Sequence, residues 1–154
     1  MKAAEANTAA LLDVARKRHR DAPWASTEDD IAWRLIHELA VDAASRLRKV
    51  HEATRGAKGF LSVQVNAKYY PNRDAMVEQA TRLAALAPNI AIKAPATETG
   101  IAAIEEMTAR GIRVNATVSF SVPQALAVSA ALERGLRRAR AAGRDADAIR
   151  PYIT

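Results

Sequence analysis

One lysine in a short apolar run is the residue of this chain best placed to do chemistry. Lys93 lies in Asn89-Ile-Ala-Ile-Lys-Ala-Pro-Ala-Thr97, where a strand-like segment delivers a single cation and then stops at a proline. Burial of an ammonium group removes its water and lowers its pKa. A neutral amine can attack a carbonyl carbon and form a Schiff base. The run therefore indicates a nucleophilic lysine, and the side chains around it decide what it can do.

Strand-like and helical segments alternate from about residue 59 onward. Strands are predicted at residues 59–65, 90–93 and 112–118. Helices are predicted at residues 73–87, 98–110 and 122–142, and residues 149–154 indicate the start of a fourth strand. Alternating strands and helices predict an α/β fold of parallel strands joined by crossover helices. Repeats of 23 to 29 residues are compact enough for a (β/α) barrel, of which this chain would contain three strands and the beginning of a fourth.

The residues before the first strand have helical composition. One helix is predicted at residues 3–20, and a second begins after a cap at Ser26 or Thr27 and runs to about residue 54. Arg55-Gly56 ends it, because glycine readily adopts the left-handed conformation that follows many helices. Two regions are therefore predicted: a helical N-terminal segment, 1–55, and the central βα units, 56–154.

Alternation along each strand decides which side chains share a face. One face of every strand is apolar, which suits packing against the crossover helices. The opposite faces carry polar residues near the carboxyl ends of the strands: Gln64, Lys93, Asn115 and Thr117. In a (β/α)8 barrel these faces converge at the mouth, where such folds place catalysis. The three strands therefore predict one polar constellation around Lys93.

The amino-acid composition limits which other kinds of functional site the chain could contain. The 154 residues include no cysteine and three histidines, so thiolate sites are excluded and neither a metal nor an organic cofactor is predicted. Much of the net charge of +6 comes from the arginines of residues 134–140. These arginines fit either a polyanion-binding module or a solvated helix end. No aromatic residues are interleaved with them, which argues against nucleic-acid binding.

The sequence predicts neither export nor membrane insertion. The N-terminus lacks the apolar core of a signal peptide. No run approaches the roughly 20 apolar residues that a membrane span requires. A cytoplasmic location is therefore expected.

Two segments resemble the transaldolase family. Residues 89–104, Asn-Ile-Ala-Ile-Lys-Ala-Pro-Ala-Thr-Glu-Thr-Gly-Ile-Ala-Ala-Ile, are similar to its lysine signature. Residues 111–124, Gly-Ile-Arg-Val-Asn-Ala-Thr-Val-Ser-Phe-Ser-Val-Pro-Gln, are similar to its Gly-Ile-x-Val-Asn-x-Thr strand. The resemblance covers roughly residues 40–154 and implies a (β/α)8 barrel that works through a Schiff base.

The resemblance assigns roles residue by residue. Lys93 matches the lysine that bonds covalently to the ketose carbonyl, and Asn115 matches the asparagine that binds substrate hydroxyls. Thr117 matches the threonine that helps to hold a catalytic water. Gln64 lies where many transaldolases carry a glutamate on that water. Thr154 matches a serine or threonine of the next strand that contacts substrate.

The resemblance also implies the reaction. A dihydroxyacetone unit would move between a phosphorylated ketose and an aldose phosphate, as in the pentose phosphate pathway, with no metal or organic cofactor. Gln64 departs from the common glutamate, since an amide cannot act as a carboxylate acid or base. A glutamine here is similar to the fructose-6-phosphate aldolase branch, so simple aldolase activity is the alternative reaction.

The family barrel has more strands than this chain. The strand that bears the family's catalytic aspartate has no counterpart upstream of Gly59, and the strand with its phosphate-binding arginine would follow Thr154. The chain is therefore expected to be a central fragment of a transaldolase. An inactive fragment is one alternative. Self-association through open sheet edges is another, because unpaired edges attract further strands.

Overall fold

The computed structural model describes residues 8–10, 12–13, 16–17 and 27–154. The chain forms two compact units, Met1–Ala43 and Ala44–Thr154. Within the first unit the described residues before 20 are helical, and the rest of the helix predicted at 3–20 lies outside the described residues.

Helix α1, Glu28–Ala53, begins at a reciprocal cap. The hydroxyl of Thr27 accepts a hydrogen bond from the amide of Asp30 at 3.2 Å, and the carboxylate of Asp30 accepts one from the amide of Thr27 at 3.0 Å. Two amides that a helix start leaves without partners are thereby satisfied. Of the two caps that the sequence allows, the structure uses Thr27. At the other end Arg55 and Gly56 both have positive φ, as predicted for the end of the helix.

Four strands and four further helices follow α1 in the second unit. The strands are β1, Leu61–Gln64; β2, Ile90–Pro95; β3, Val114–Thr117; and β4, Tyr152–Ile153. The helices are α2, Arg73–Ala84; α3, Glu98–Ala109; α4, Val122–Ala141; and α5, Ala146–Ile149, with a 3-10 turn at Ala67–Tyr69. All strand pairs are parallel, and the strand order is β1-β2-β3-β4. The α/β fold of a partial (β/α)8 barrel is confirmed.

Several predicted boundaries are wrong by a few residues. Strand β1 begins at Leu61 instead of residue 59, and β3 begins at Val114 instead of residue 112. Strand β2 extends to Pro95 instead of ending at residue 93.

Three further differences have a local reason. Helix α2 ends at Ala84 instead of residue 87, since Pro88 disfavours helical backbone at the residue before it. Strand β3 ends at Thr117 because Val118 has a φ of 60°. The fourth strand begins at Tyr152, not at Ile149. Ile149 instead belongs to the short helix α5, Ala146–Ile149, which Asp145 caps.

The apolar faces of the strands form the core with the helices, as the alternation predicted. Ile92 and Val114 are completely buried on this side of the sheet. From the helices, Met76 and Leu83 of α2 and Met107 of α3 are equally buried. The opposite face of the sheet is therefore left for polar side chains.

The sheet is curved, and its polar face is the concave one. The hydroxyl groups of Ser62, on β1, and Tyr152, on β4, lie 2.9 Å apart. In a flat sheet the backbones of these strands would be separated by three strand spacings, about 14 Å. A tyrosine side chain alone does not span that distance, so the two outer strands must bend towards each other. This curvature is that of a barrel wall.

Three helices are held together by one carboxylate. Glu106 of α3 contacts Arg110 at 2.8 Å, Arg138 of α4 at 2.7 Å and Arg73 of α2 at 3.4 Å. Its side chain is only 13% exposed. The hydrogen bonds from Arg110 and Arg138 lower the pKa of the Glu106 carboxyl below its usual 4.5. The ionised form is thus favoured in the folded state.

Substitution of Glu106 by glutamine is expected to lower the free energy of unfolding by about 1–2 kcal/mol at neutral pH. Because the folded-state pKa is lowered, this stabilisation is complete above the unfolded-state pKa. It is lost as the pH falls below 4.5 and through the folded-state value. Urea unfolding of both proteins across this range should show the difference shrinking with acid. Glu133→Gln is the control, because Glu133 is 68% exposed and its ion pair among the described residues is with Arg137 of the same helix, at 4.0 Å. Equal losses for the two variants would contradict the helix-joining role.

Candidate functional site

Three of the residues predicted to form the site lie in one row across the sheet. In the strand register Gln64 of β1 is paired with Lys93 of β2, and Lys93 is paired with Asn115 of β3. The same row continues to Tyr152 of β4. Neighbouring strands lie about 4.8 Å apart, so each side chain flanks the next. Lys93 therefore has an amide side chain on either side of it.

Lys93 is half-buried, and its backbone carbonyl accepts a hydrogen bond from the amide of Val65 at 3.0 Å. No acidic side chain in the described part of the chain pairs with its ammonium group. Ala91, two residues earlier on the same face, is completely buried and too small to cover the lysine stem. The ammonium group is thus presented on the concave face without a salt bridge.

Asn115 is the centre of a hydrogen-bond network. Its amide oxygen accepts a hydrogen bond from the hydroxyl of Thr154 at 2.9 Å, and its amide nitrogen donates one to Ser62 at 3.2 Å. Ser62 in turn meets the hydroxyl of Tyr152. The Asn115 side chain is 6% exposed, and both ends of its amide are occupied. Its orientation beside Lys93 is therefore fixed.

Two members of this network, Ser62 and Tyr152, were not among the residues that the sequence selected. Their signal was present, because Ser62 alternates with Gln64, and Tyr152 alternates with Thr154. What the sequence lacked was the curvature that brings the outer strands together.

Thr117 lies one step beyond the row, where it is paired with Pro95 of β2. The turn after it is braced by Gln124, whose amide nitrogen donates to the carbonyls of Ala96 at 3.1 Å and Val118 at 3.3 Å. The oxygen of Gln124 accepts from the amide of Ser121, which caps α4. Val118 is held at positive φ, a costly conformation for a β-branched residue. The turn therefore has a fixed shape beside Thr117.

The turn after Lys93 is equally tight. Thr97 caps α3 by accepting a hydrogen bond from the amide of Gly100 at 3.0 Å. A Cβ atom at Gly100 would overlap the carbonyl oxygen of Pro95 and lie 2.8 Å from the Thr97 hydroxyl oxygen. Only glycine lets the start of α3 approach the end of β2 this closely. The pairing of strand and helix thus fixes the backbone two residues from Lys93.

The basic cluster at residues 134–140 is paired within the chain. Arg134 contacts Glu105 at 2.7 Å, and Arg138 contacts both Glu105 and Glu106. The remaining two arginines, Arg137 and Arg140, lie within 4.0 Å of acidic side chains. Pairing reduces the positive field that this helix presents to a polyanion. The cluster serves as a contact between helices.

Among the described residues, no group of three or more histidine, aspartate or glutamate side chains comes together as a metal site. None of the helices described has an apolar stretch long enough to cross a membrane.

The chain matches the family described as Transaldolase/Fructose-6-phosphate aldolase over residues 1–154, and it belongs to that family. Transaldolase 1 of Streptomyces avermitilis is 41% identical over 119 residues, which are 75% of this chain and 32% of that protein. A transaldolase of Kocuria rhizophila is 34% identical over 146 residues, which are 92% of this chain and 40% of that protein. A transaldolase of Neisseria gonorrhoeae is 44% identical over 95 residues, which are 60% of this chain and 27% of that protein. The chain thus spans between about a quarter and two fifths of these relatives.

Proposed function

We propose that this chain contributes a Schiff-base centre that transfers a dihydroxyacetone unit between sugar phosphates. The observation that supports this proposal best is the half-buried Lys93, which has no acidic partner among the described residues and is flanked in register by Gln64 and Asn115. Membership of the transaldolase family and the names of its relatives agree with it.

In the proposed reaction the amine of Lys93 adds to the C2 carbonyl of a phosphorylated ketose. Loss of water gives an iminium ion. The bond between C3 and C4 then breaks, its electron pair moves into the iminium to form an enamine, and an aldehyde leaves. The proton of the C4 hydroxyl passes to a water molecule. The enamine attacks the carbonyl carbon of an aldose phosphate, and hydrolysis frees Lys93.

The neighbouring residues would divide the other tasks. Asn115 is held by Thr154 and Ser62 and donates one of its two amide hydrogens to Ser62, so the second hydrogen would be donated to a substrate hydroxyl. Thr154 would contact the substrate beside it. Thr117 and Gln64 would hold the water that relays the proton, with Gln64 orienting that water, since an amide does not take up the proton. The groups are placed before the reaction begins, which lowers the cost of orienting them.

Gln64 also favours a second reaction. With an amide in place of the common carboxylate, the three-carbon enamine could be protonated and released, which is the reaction of a fructose-6-phosphate aldolase. Product analysis separates the two: free dihydroxyacetone without an acceptor indicates the aldolase. Exchange that needs added erythrose 4-phosphate indicates the transferase.

The setting of this chemistry belongs to the same proposal. We place it in the cytoplasm and in the pentose phosphate pathway, as the family membership suggests. Within the described residues β1 and β4 each have only one neighbouring strand. Self-association through these strands is proposed as one way to cover the concave face.

Borohydride trapping tests the central claim. The 154-residue chain is incubated with fructose 6-phosphate and sodium borohydride, and intact mass and peptide mapping follow. We expect one reduced dihydroxyacetone adduct, located on Lys93. Circular dichroism confirms that the sample is folded. A folded chain without an adduct would contradict activity of this chain, and an adduct on another lysine would contradict the assignment of Lys93.

A further inference from the structure

A cavity lies at the opposite end of the sheet from Lys93. Its volume is about 840 Å³, within the range of about 300–1,000 Å³ that is common for small-molecule sites. Its walls include residues next to the amino ends of the strands: Phe60, Ile90, Arg113 and Arg150. Lys93 and Asn115 lie further along the same strands towards their carboxyl ends. The cavity is therefore separate from the proposed Schiff-base centre.

Arginine dominates the polar lining of this cavity. Five arginines line it, together with two aspartates. One arginine, Arg110, is already paired with Glu106. The other four have no carboxylate within ion-pair distance in the described part of the chain: Arg55, Arg113, Arg144 and Arg150.

The two aspartates do not neutralise these four cations. Asp147 is paired with Arg140 at 3.0 Å. Asp145 caps α5, where its carboxylate accepts hydrogen bonds from the amides of Asp147 and Ala148. Four guanidinium groups therefore stand against one carboxylate. The carboxyl ends of the four helices α1 to α4 each carry a partial charge of roughly −0.5 from the helix dipole. A net positive charge of about one therefore remains at the cavity.

Arg113, one of these four arginines, is poorly satisfied by the groups around its guanidinium. Its guanidinium lies 3.7 Å from the centre of the Phe60 ring, and its two hydrogen bonds to the carbonyls of Gly56 and Ala148 are long, at 3.4 Å. Its Nε atom is buried and has no hydrogen-bond partner. Burial, and then the charge of Arg150, lower the pKa of Arg113. An anion between the two guanidinium groups would offset the repulsion between Arg113 and Arg150 and give Arg113 a charged hydrogen-bond partner.

We propose that this cavity binds a metabolite-sized oxyanion, carrying phosphate or carboxylate groups, between Arg113, Arg144 and Arg150. The planar guanidinium fork matches both kinds of oxyanion and can bind each with two parallel hydrogen bonds. The ligand would bind at the amino ends of the strands, apart from any sugar phosphate at Lys93.

Titration calorimetry of the full chain with pyrophosphate and with citrate tests the proposal, at ionic strength kept constant with sodium chloride. Arg150→Gln and Arg144→Gln should each weaken binding about tenfold or more, the loss of one charged hydrogen bond. Arg150→Lys, which keeps the charge but loses the fork, should fall between wild type and Arg150→Gln. Arg137→Gln is the matched control, because Arg137 also lies near the end of α4 but outside the cavity. It should bind as wild type does.

The outcomes are distinct. Tighter binding of pyrophosphate indicates a phosphorylated ligand, and tighter binding of citrate indicates a carboxylate ligand. If all four variants bound both anions as tightly as the wild-type chain does, the binding would be a general salt effect, and the proposal would be overturned. Absence of binding to the folded wild-type chain would overturn it as well. Circular dichroism of each variant separates lost binding from lost structure.

Discussion

Replacement of Lys93 by arginine is expected to reduce the borohydride-trapped adduct by at least about a thousandfold, to below detection. Arginine keeps a cation and a long side chain at this position, but its guanidinium stays protonated and does not add to carbonyls. Because Lys93 is only half-buried and has no ion pair with any described acidic residue, its substitution should have little effect on stability. The free energy of unfolding should change by less than about 1 kcal/mol. Intact mass after trapping and urea unfolding measure the two effects.

Lys58→Arg provides the control for this experiment. Lys58 is an exposed lysine just before β1, and the same substitution there removes an amine without touching the row of Gln64, Lys93 and Asn115. The Lys58 variant should form as much adduct as the wild-type chain. If Lys93→Arg were trapped as efficiently as Lys58→Arg, the nucleophile would be another amine, and the proposed mechanism would fail.

The row around Lys93 could be predicted from the sequence because two general rules of β-structure are sufficient for it. Side chains alternate across a strand, and parallel strands joined by short crossovers lie side by side. Gln64, Lys93 and Asn115 therefore had to share a face, and the register of β1 to β3 places them opposite one another. Their chemical roles do not follow from alternation and stay proposals.

Other features depend on packing that a linear pattern does not contain. The contact between Ser62 and Tyr152 requires a curved sheet, and the sequence specifies no curvature. The arginines after Glu133 looked like a solvated helix end, yet Arg134 and Arg138 bind acidic residues about 30 positions earlier. Spacing within α4 puts these two arginines on one side of the helix, but it does not show which helix they meet.

The tight turn after β2 is the second place where a small change should have a large effect. Gly100 lies in the first turn of α3, and at an open helical position alanine would be favoured over glycine by up to about 1 kcal/mol. At Gly100 alanine should instead destabilise the protein, because the new methyl group would overlap the carbonyl oxygen of Pro95. We expect Gly100→Ala to lower the free energy of unfolding by about 3 kcal/mol, measured by urea unfolding.

The effect should reach Lys93 through the backbone. The carbonyl of Pro95 moves only if the end of β2 moves with it, and Lys93 lies two residues earlier on that strand. Gly143→Ala is the matched control. Alanine at this position must adopt a positive φ, but its methyl group would have no atom within 4 Å. It should cost about 1 kcal/mol. If Gly100→Ala cost no more than Gly143→Ala, the overlap would be relieved without strain. The close approach of α3 to β2 would then not be what fixes the lysine in its row.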